Sequence, residues 1–261
     1  MNWIALVAII GAAAWVPQII FIIYNILAKP KLQFIPEPTA EIGYSYLGPI
    51  FNPVFAIATF RKDALIEKIL IEIIHETGEK HEFLWQVLDE KGFEGTSSKG
   101  EKVEMRKSQS AIALKIGTVG LVERKIGFQD VSFKEKRITL ESLLSEKEEF
   151  LKKTDSQHYP DNIFKTEEFC KLEDFIKNSF YWKEGDYTAY LYAYEVSLKR
   201  PHIEKYNFKL TKTNAEILGK NIKISQKFIK DVALFKAGIH QIFPPYFWSW
   251  VYPSIYRQKS K

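Results

Sequence analysis

Two neighbouring segments alternate apolar and polar residues with a period of two, and this restricts the fold more than any other feature of the chain. In Ile66 to Glu76, Ile69, Ile71, Ile73 and His75 share one face; in His81 to Asp89, His81, Phe83, Trp85 and Val87 do. A turn around Gly78 joins them as an antiparallel pair. Setting Ile73 against Phe83, Ile71 against Trp85 and Ile69 against Val87 makes both core faces coincide, whereas a one-residue slip would set core against solvent. The same register places His75 opposite His81.

Further strands are expected at Val54 to Phe60, Ala111 to Ile116, Phe128 to Phe133, Tyr187 to Leu198, Tyr206 to Leu210 and Asn221 to Phe228. Tyr190, Tyr192 and Tyr194 form a stripe of the kind that packs in cores or across strands. Helical spacing interrupts the strands, with Leu140, Leu143, Leu144 and Leu151 on one face and Phe169, Leu172 and Ile176 on another. Thr213 and Glu216 have capping-box spacing, which predicts a short helix ending near Gly219. The expected fold is mainly β: an antiparallel, Ig-like β-sandwich over residues 41–238, with a helical insertion at about 139–180.

Before that domain, residues 1–28 carry no charge, and Trp3 to Leu27 is almost uninterruptedly apolar. As a helix it would measure about 37 Å at ~1.5 Å per residue, enough for a ~30 Å hydrocarbon core. It reads as one N-terminal transmembrane helix marked by Trp3, Trp15, Pro17, Tyr24 and Leu27, with a kink at Pro17. Ala8 and Ala12 beside Gly11 give a small-residue spacing that suits a homodimer through this helix. Lys29 and Lys31 follow the span and no cation precedes it, so a single-pass membrane protein with its bulk in the cytoplasm is expected. Residues 29–40, with three prolines, read as a stiff linker.

Residues 199–261 hold 13 Lys/Arg against 3 Asp/Glu, so a net charge of +5 conceals a basic C-terminal quarter. Lys220, Lys223, Lys227 and Lys230 would share a face if their stretch were helical. The tail, 239–261, carries seven aromatics between Ile239 and Tyr256. Trp248, Trp250, Tyr252, Tyr256, Arg257 and Lys259 suit a membrane interface, with rings at headgroup level and cations toward phosphate; the competing reading packs the rings on the domain. Expected partners are the lipid bilayer, anionic lipid and an unidentified protein, with no nucleic acid.

Catalytic chemistry is sparse. The single cysteine, Cys170, excludes an intramolecular disulfide and a Cys-based zinc site. No nucleophile elbow, Walker loop or zincin motif is present, and Gly95 to Gly100 lacks phosphate-loop spacing. No catalytic, cofactor or metal residue is assigned. His75 and His81 form the best local constellation, and a third ligand would be needed for zinc.

Gly43 to Asn52 (GYSYLGPIFN), Arg61 to Ile69 (RKDALIEKI), His81 to Trp85 (HEFLW) and Tyr181 to Tyr187 (YWKEGDY), with the N-terminal span, resemble a family of uncharacterised bacterial single-pass membrane proteins. The resemblance implies the anchored, strand-rich architecture and a bacterial source, and no activity. The expected function is non-catalytic binding or scaffolding at a membrane surface; the alternative is a membrane-tethered, metal-assisted hydrolase using His75 and His81.

Overall fold

The computed structural model describes residues 3–96, 102–155, 158–239 and 241–258. Helix α1 (Trp3–Leu27) precedes the strands β1 (Lys31–Ser45), β2 (Gly48–Phe60), β3 (Ala64–His75), β4 (Lys80–Thr96), β5 (Lys102–Ser110), β6 (Leu114–Ile116) and β7 (Val122–Asp130). Helices α2 (Val131–Thr154), α3 (Tyr159–Ile163) and α4 (Glu167–Asn178) follow, then β8 (Gly185–Glu195), β9 (His202–Leu210), α5 (Lys212–Lys236), β10 (Trp250–Val251) and β11 (Ile255–Arg257).

All the strands belong to one antiparallel sheet, in the order β10-β1-β2-β7-β4-β3-β8-β9-β11, with β5 on β4 and β6 on β3. The expected two-sheet sandwich is therefore replaced by one curled sheet. The C-terminal segment draws its ends together: Val251 pairs with Ile42 of β1, and four residues later Ile255 pairs with Phe208 of β9. Across the concave side, rings from the non-adjacent strands β2 and β9 meet, Phe51 on Phe208 and Phe55 on Tyr206, each at 5.5 Å. The Tyr206 hydroxyl donates to Phe34 O at 3.1 Å, tying β9 to β1.

Local sequence explains most departures from expectation. The proline-rich stretch is the first half of β1, where Leu32 and Phe34 point inward and pair onto β2. The register shifts between Pro36 and Ala40, and a bulge is where a strand tolerates residues without an N–H donor. On β8 the buried apolar side chains are Tyr187, Ala189, Leu191 and Ala193, while Tyr190, Tyr192 and Tyr194 lie half-buried on the convex face. A tightly curled sheet has room inside for alanine, and the outer phenols sit under lysines, Lys205 over Tyr190 and Lys68 over Tyr194.

The β7 strand stops at Asp130, whose side chain caps α2, so the helical region begins earlier than 139. Asn221 to Phe228 is helical rather than extended. The capping box that opens α5 is Thr211 with Asn214, and the helix passes through Gly219 to Lys236. Its buried Leu218, Asn221, Ser225 and Ile229 recur every three or four residues, which outweighs a short alternation of isoleucines. The basic residues of this stretch are consequently on a helix.

Among the described residues no helix is long and apolar enough to cross a membrane. The expected transmembrane helix and single-pass membrane localisation are corrected accordingly. Trp3, Trp15, Tyr24 and Leu27 are exposed, and Pro17 lies inside the helix. The side chains of Ala8, Gly11 and Ala12 lie outside the described ones.

Candidate functional site

The β3–β4 hairpin turns tightly at Gly78, whose φ of +87° lies in the left-handed region glycine favours. Gly78 N donates to His75 O at 2.8 Å and His75 N to Glu79 O at 2.9 Å. This turn sets Ile73 against His81 and Ile71 against Phe83, two residues from the expected register. A two-residue shift preserves which face each side chain occupies, so Ile69, Ile71, Ile73, Phe83 and Trp85 are all buried as expected. It separates the two histidines. Beyond Trp85, β4 bulges against β7, which turns Val87 outward and buries Leu88.

His75 is buried beside the turn. Its Nδ1 lies 2.9 Å from Thr77 Oγ1, its Nε2 3.1 Å from Glu184 O, and its ring packs on Tyr187. Both nitrogens are held by structural partners.

His81 stands at a cleft of about 470 Å³ between β4 and helices α2 and α4. Its Nε2 is 3.0 Å from Glu79 Oε1 and its Nδ1 3.5 Å from Asp130 Oδ2. The ring lies flat on Tyr181, with centroids 3.4 Å apart and planes 9° apart. Asp130, almost fully buried, is saturated: Oδ1 accepts from Phe133 N at 2.8 Å and Ser132 Oγ at 2.7 Å, and Oδ2 from Tyr181 Oη at 3.0 Å. Glu79 Oε2 receives Lys183 Nζ at 2.6 Å. Phe133 and Phe175 line the floor, and Lys136, Asn178 and Ser179 line the mouth.

The electrostatics follow from this wiring. Burial pushes the Asp130 carboxyl up, but donation from His81, Phe133 N, Ser132 and Tyr181 outweighs it, so its pKa lies below the ordinary aspartate value. The Lys183 ammonium, ahead of His81, holds Glu79 below its usual range. Burial first, then the Asp130 charge, raises the Tyr181 phenol. The cluster therefore contains two ionised carboxylates and a neutral phenol, with an imidazole whose two nitrogens both face acceptors.

The Ser132 hydroxyl donates to Asp130 and not to a histidine, so it is not an activated nucleophile. Among the described residues no group of three or more His, Cys, Asp or Glu side chains could hold a metal ion. Sequence reasoning had found His81 but missed Asp130, Glu79, Tyr181 and Lys183. Asp130 was legible in principle as a capping residue preceding a helical stretch, and Glu79 as a neighbour of His81 in the same turn; Tyr181 and Lys183 arrive from the distant segment between α4 and β8.

The tail residues are placed elsewhere. Trp248 and Tyr246 pack with Phe228 of α5, and Trp250 lies against Gly43, where even a methyl group would overlap its ring. Tyr252 and Tyr256 are exposed, and Arg257 holds Glu204 through two bonds of 2.6 and 2.7 Å. Lys259 and Lys261, and residues 97–100 of the Gly95 to Gly100 loop, lie outside the described residues. Cys170 is exposed on α4.

No family model, curated protein or solved structure matches the chain. The resemblance to bacterial single-pass membrane proteins is corrected on that ground and on the absence, among the described residues, of a membrane-crossing helix.

Proposed function

We propose that this chain is a non-catalytic binding module, and that its ligand seat is the cleft between β4, α2 and α4. The observation that carries the reading is a division of labour in the cleft. The groups able to move a proton are committed to one another, while the side chains of Lys136, Asn178 and Ser179 border the opening with no hydrogen-bond partner among the described residues. An ammonium, an amide and a hydroxyl over an aromatic floor suit a small ligand bearing a carboxylate or phosphate. The saturated cluster beneath would hold these groups in place rather than react. The hydrolase alternative is disfavoured because the hairpin register parts His75 from His81 and both rings are fully engaged.

The test is an amide-resolved NMR titration with inorganic phosphate and with short-chain carboxylates. Saturable shifts confined to 130–136 and 178–181, abolished by Lys136→Ala, are expected. Ester hydrolysis that disappears in His81→Ala would overturn the reading.

A further inference from the structure

On another face of α2 a second cavity, about 340 Å³, lies between α2 and α5, with α4 packed between the two helices beneath it. Its walls are apolar: Leu144, Leu172, Phe228, Ile229, Val232 and Ala233. The size is that of a small-molecule site, and such sites are mostly apolar with a few placed polar groups. Here the polar groups occupy opposite ends. Arg137 and Glu148 are eleven residues apart on α2, about 16 Å at ~1.5 Å per residue.

Each end leaves some polar capacity unused. At one, the Arg137 guanidinium sits over the Tyr46 ring and bonds Glu141 through Nη1 at 2.6 Å, while its Nε is buried with no hydrogen-bond partner among the described residues. At the other, the Glu148 side chain is 5% exposed, yet its cation, Lys236, stands 3.5 Å away and is 50% exposed. Charge-assisted N–H···O bonds close to about 2.7 to 2.9 Å, so this carboxylate holds its counter-ion loosely. A buried carboxylate is tolerated only when well paired. The nearby Tyr159 hydroxyl is also buried and has no hydrogen-bond partner among the described residues.

We infer that this cavity is a binding site for small amphipathic primary amines, whose ammonium bonds Glu148 in place of Lys236 and whose apolar body fills the space between α2 and α5. An ammonium offers three donors on a compact head. Delivered from inside the cavity, it can reach the carboxylate at full contact, which the Lys236 side chain, approaching from solvent, does not. Lys236 then swings into water at little cost, being already half exposed. The site is separate from the cleft proposed above and does not depend on it.

The experiment uses the full chain and three probes of one shape: 2-phenylethylamine, 2-phenylethanol and 3-phenylpropionate, measured by calorimetry. Saturable one-to-one binding of the amine, at least tenfold tighter than the alcohol or the acid, is expected. Glu148→Gln should weaken the amine at least tenfold. Lys236→Met should tighten the amine severalfold by removing its competitor. Equal binding of amine and alcohol, no saturable amine binding, or a Lys236→Met variant that binds the amine no better than the parent would each overturn the proposal.

Discussion

Asp130 links the candidate cleft to the stability of the helix that forms one wall of it. Its carboxylate satisfies the first turn of α2 and anchors Tyr181 and His81. Asp130→Ala should therefore cost about 2 to 4 kcal/mol, a lost cap together with buried donors left unpaired. Because the native carboxyl is held below its ordinary pKa, the unfolded chain binds its proton first as pH falls. The stability difference between wild type and variant, followed by urea denaturation, should be full above about pH 4 and shrink below it as the native carboxylate is protonated. A difference that stays constant down to pH 2 would show that the charge contributes nothing. Gly43 carries a second residue-scale constraint, since the Trp250 ring occupies the volume a Cβ would need. Gly43→Ala should lower the melting temperature and shift Trp250 fluorescence, as the ring is forced off β1.

Helix α5 and the tail show how one polar side chain fixes an element. Asn221 is fully buried, donates to Ser249 O at 2.7 Å and accepts from Ser249 N at 2.9 Å, so its amide serves the tail as a neighbouring strand would. Asn221→Ala leaves both backbone groups unpaired and should cost about 2 to 4 kcal/mol. Limited proteolysis should then cut between 241 and 250 well before the rest of the chain; a wild-type cleavage pattern would refute the clamp. What the sequence could convey is clearest at this scale. The face identity of Ile69, Ile71, Ile73, Phe83 and Trp85 was legible because it depends only on parity. The register was not, because the compact turn at Gly78 fixes it, and with it went the pairing of His75 with His81. The helix around Asn221 was missed for a related reason: isoleucines at 222 and 224 satisfy a period of two, and only the longer spacing of buried residues separates the alternatives. The candidate cleft was the least legible part, since Asp130 and Tyr181 meet His81, and Lys183 meets Glu79, only through the curl of the sheet and the packing of α4.

For the whole molecule, the decisive contact is the closure of the sheet. Nothing in the strand pattern distinguishes a sandwich from a single curled sheet, because both bury alternate residues. The outcome rests on 250–257, which pairs with β1 at one end and β9 at the other. That segment is locked by Arg257, whose guanidinium grips the buried Glu204 carboxylate while His202 approaches it at 3.0 Å. Burial alone would raise Glu204, yet His202 and Arg257 hold it below the usual glutamate value. Removing the arginine strands a buried charge, so Arg257→Met should cost about 2 to 4 kcal/mol, at the low end for a pair whose arginine is partly exposed. The double variant Arg257→Met, Glu204→Gln should recover much of that loss, since no charge is then left unpaired. Chemical denaturation of the four members of this cycle measures the coupling. A double variant no more stable than Arg257→Met would mean that the tail is held by its backbone pairing and not by the ion pair. If the lock operates, its contribution fades as pH drops below about 4, when the native Glu204 takes up a proton. The sheet should then open first at the β9–β11 seam, detectable as early loss of amide protection at 255–257 relative to β3 and β8.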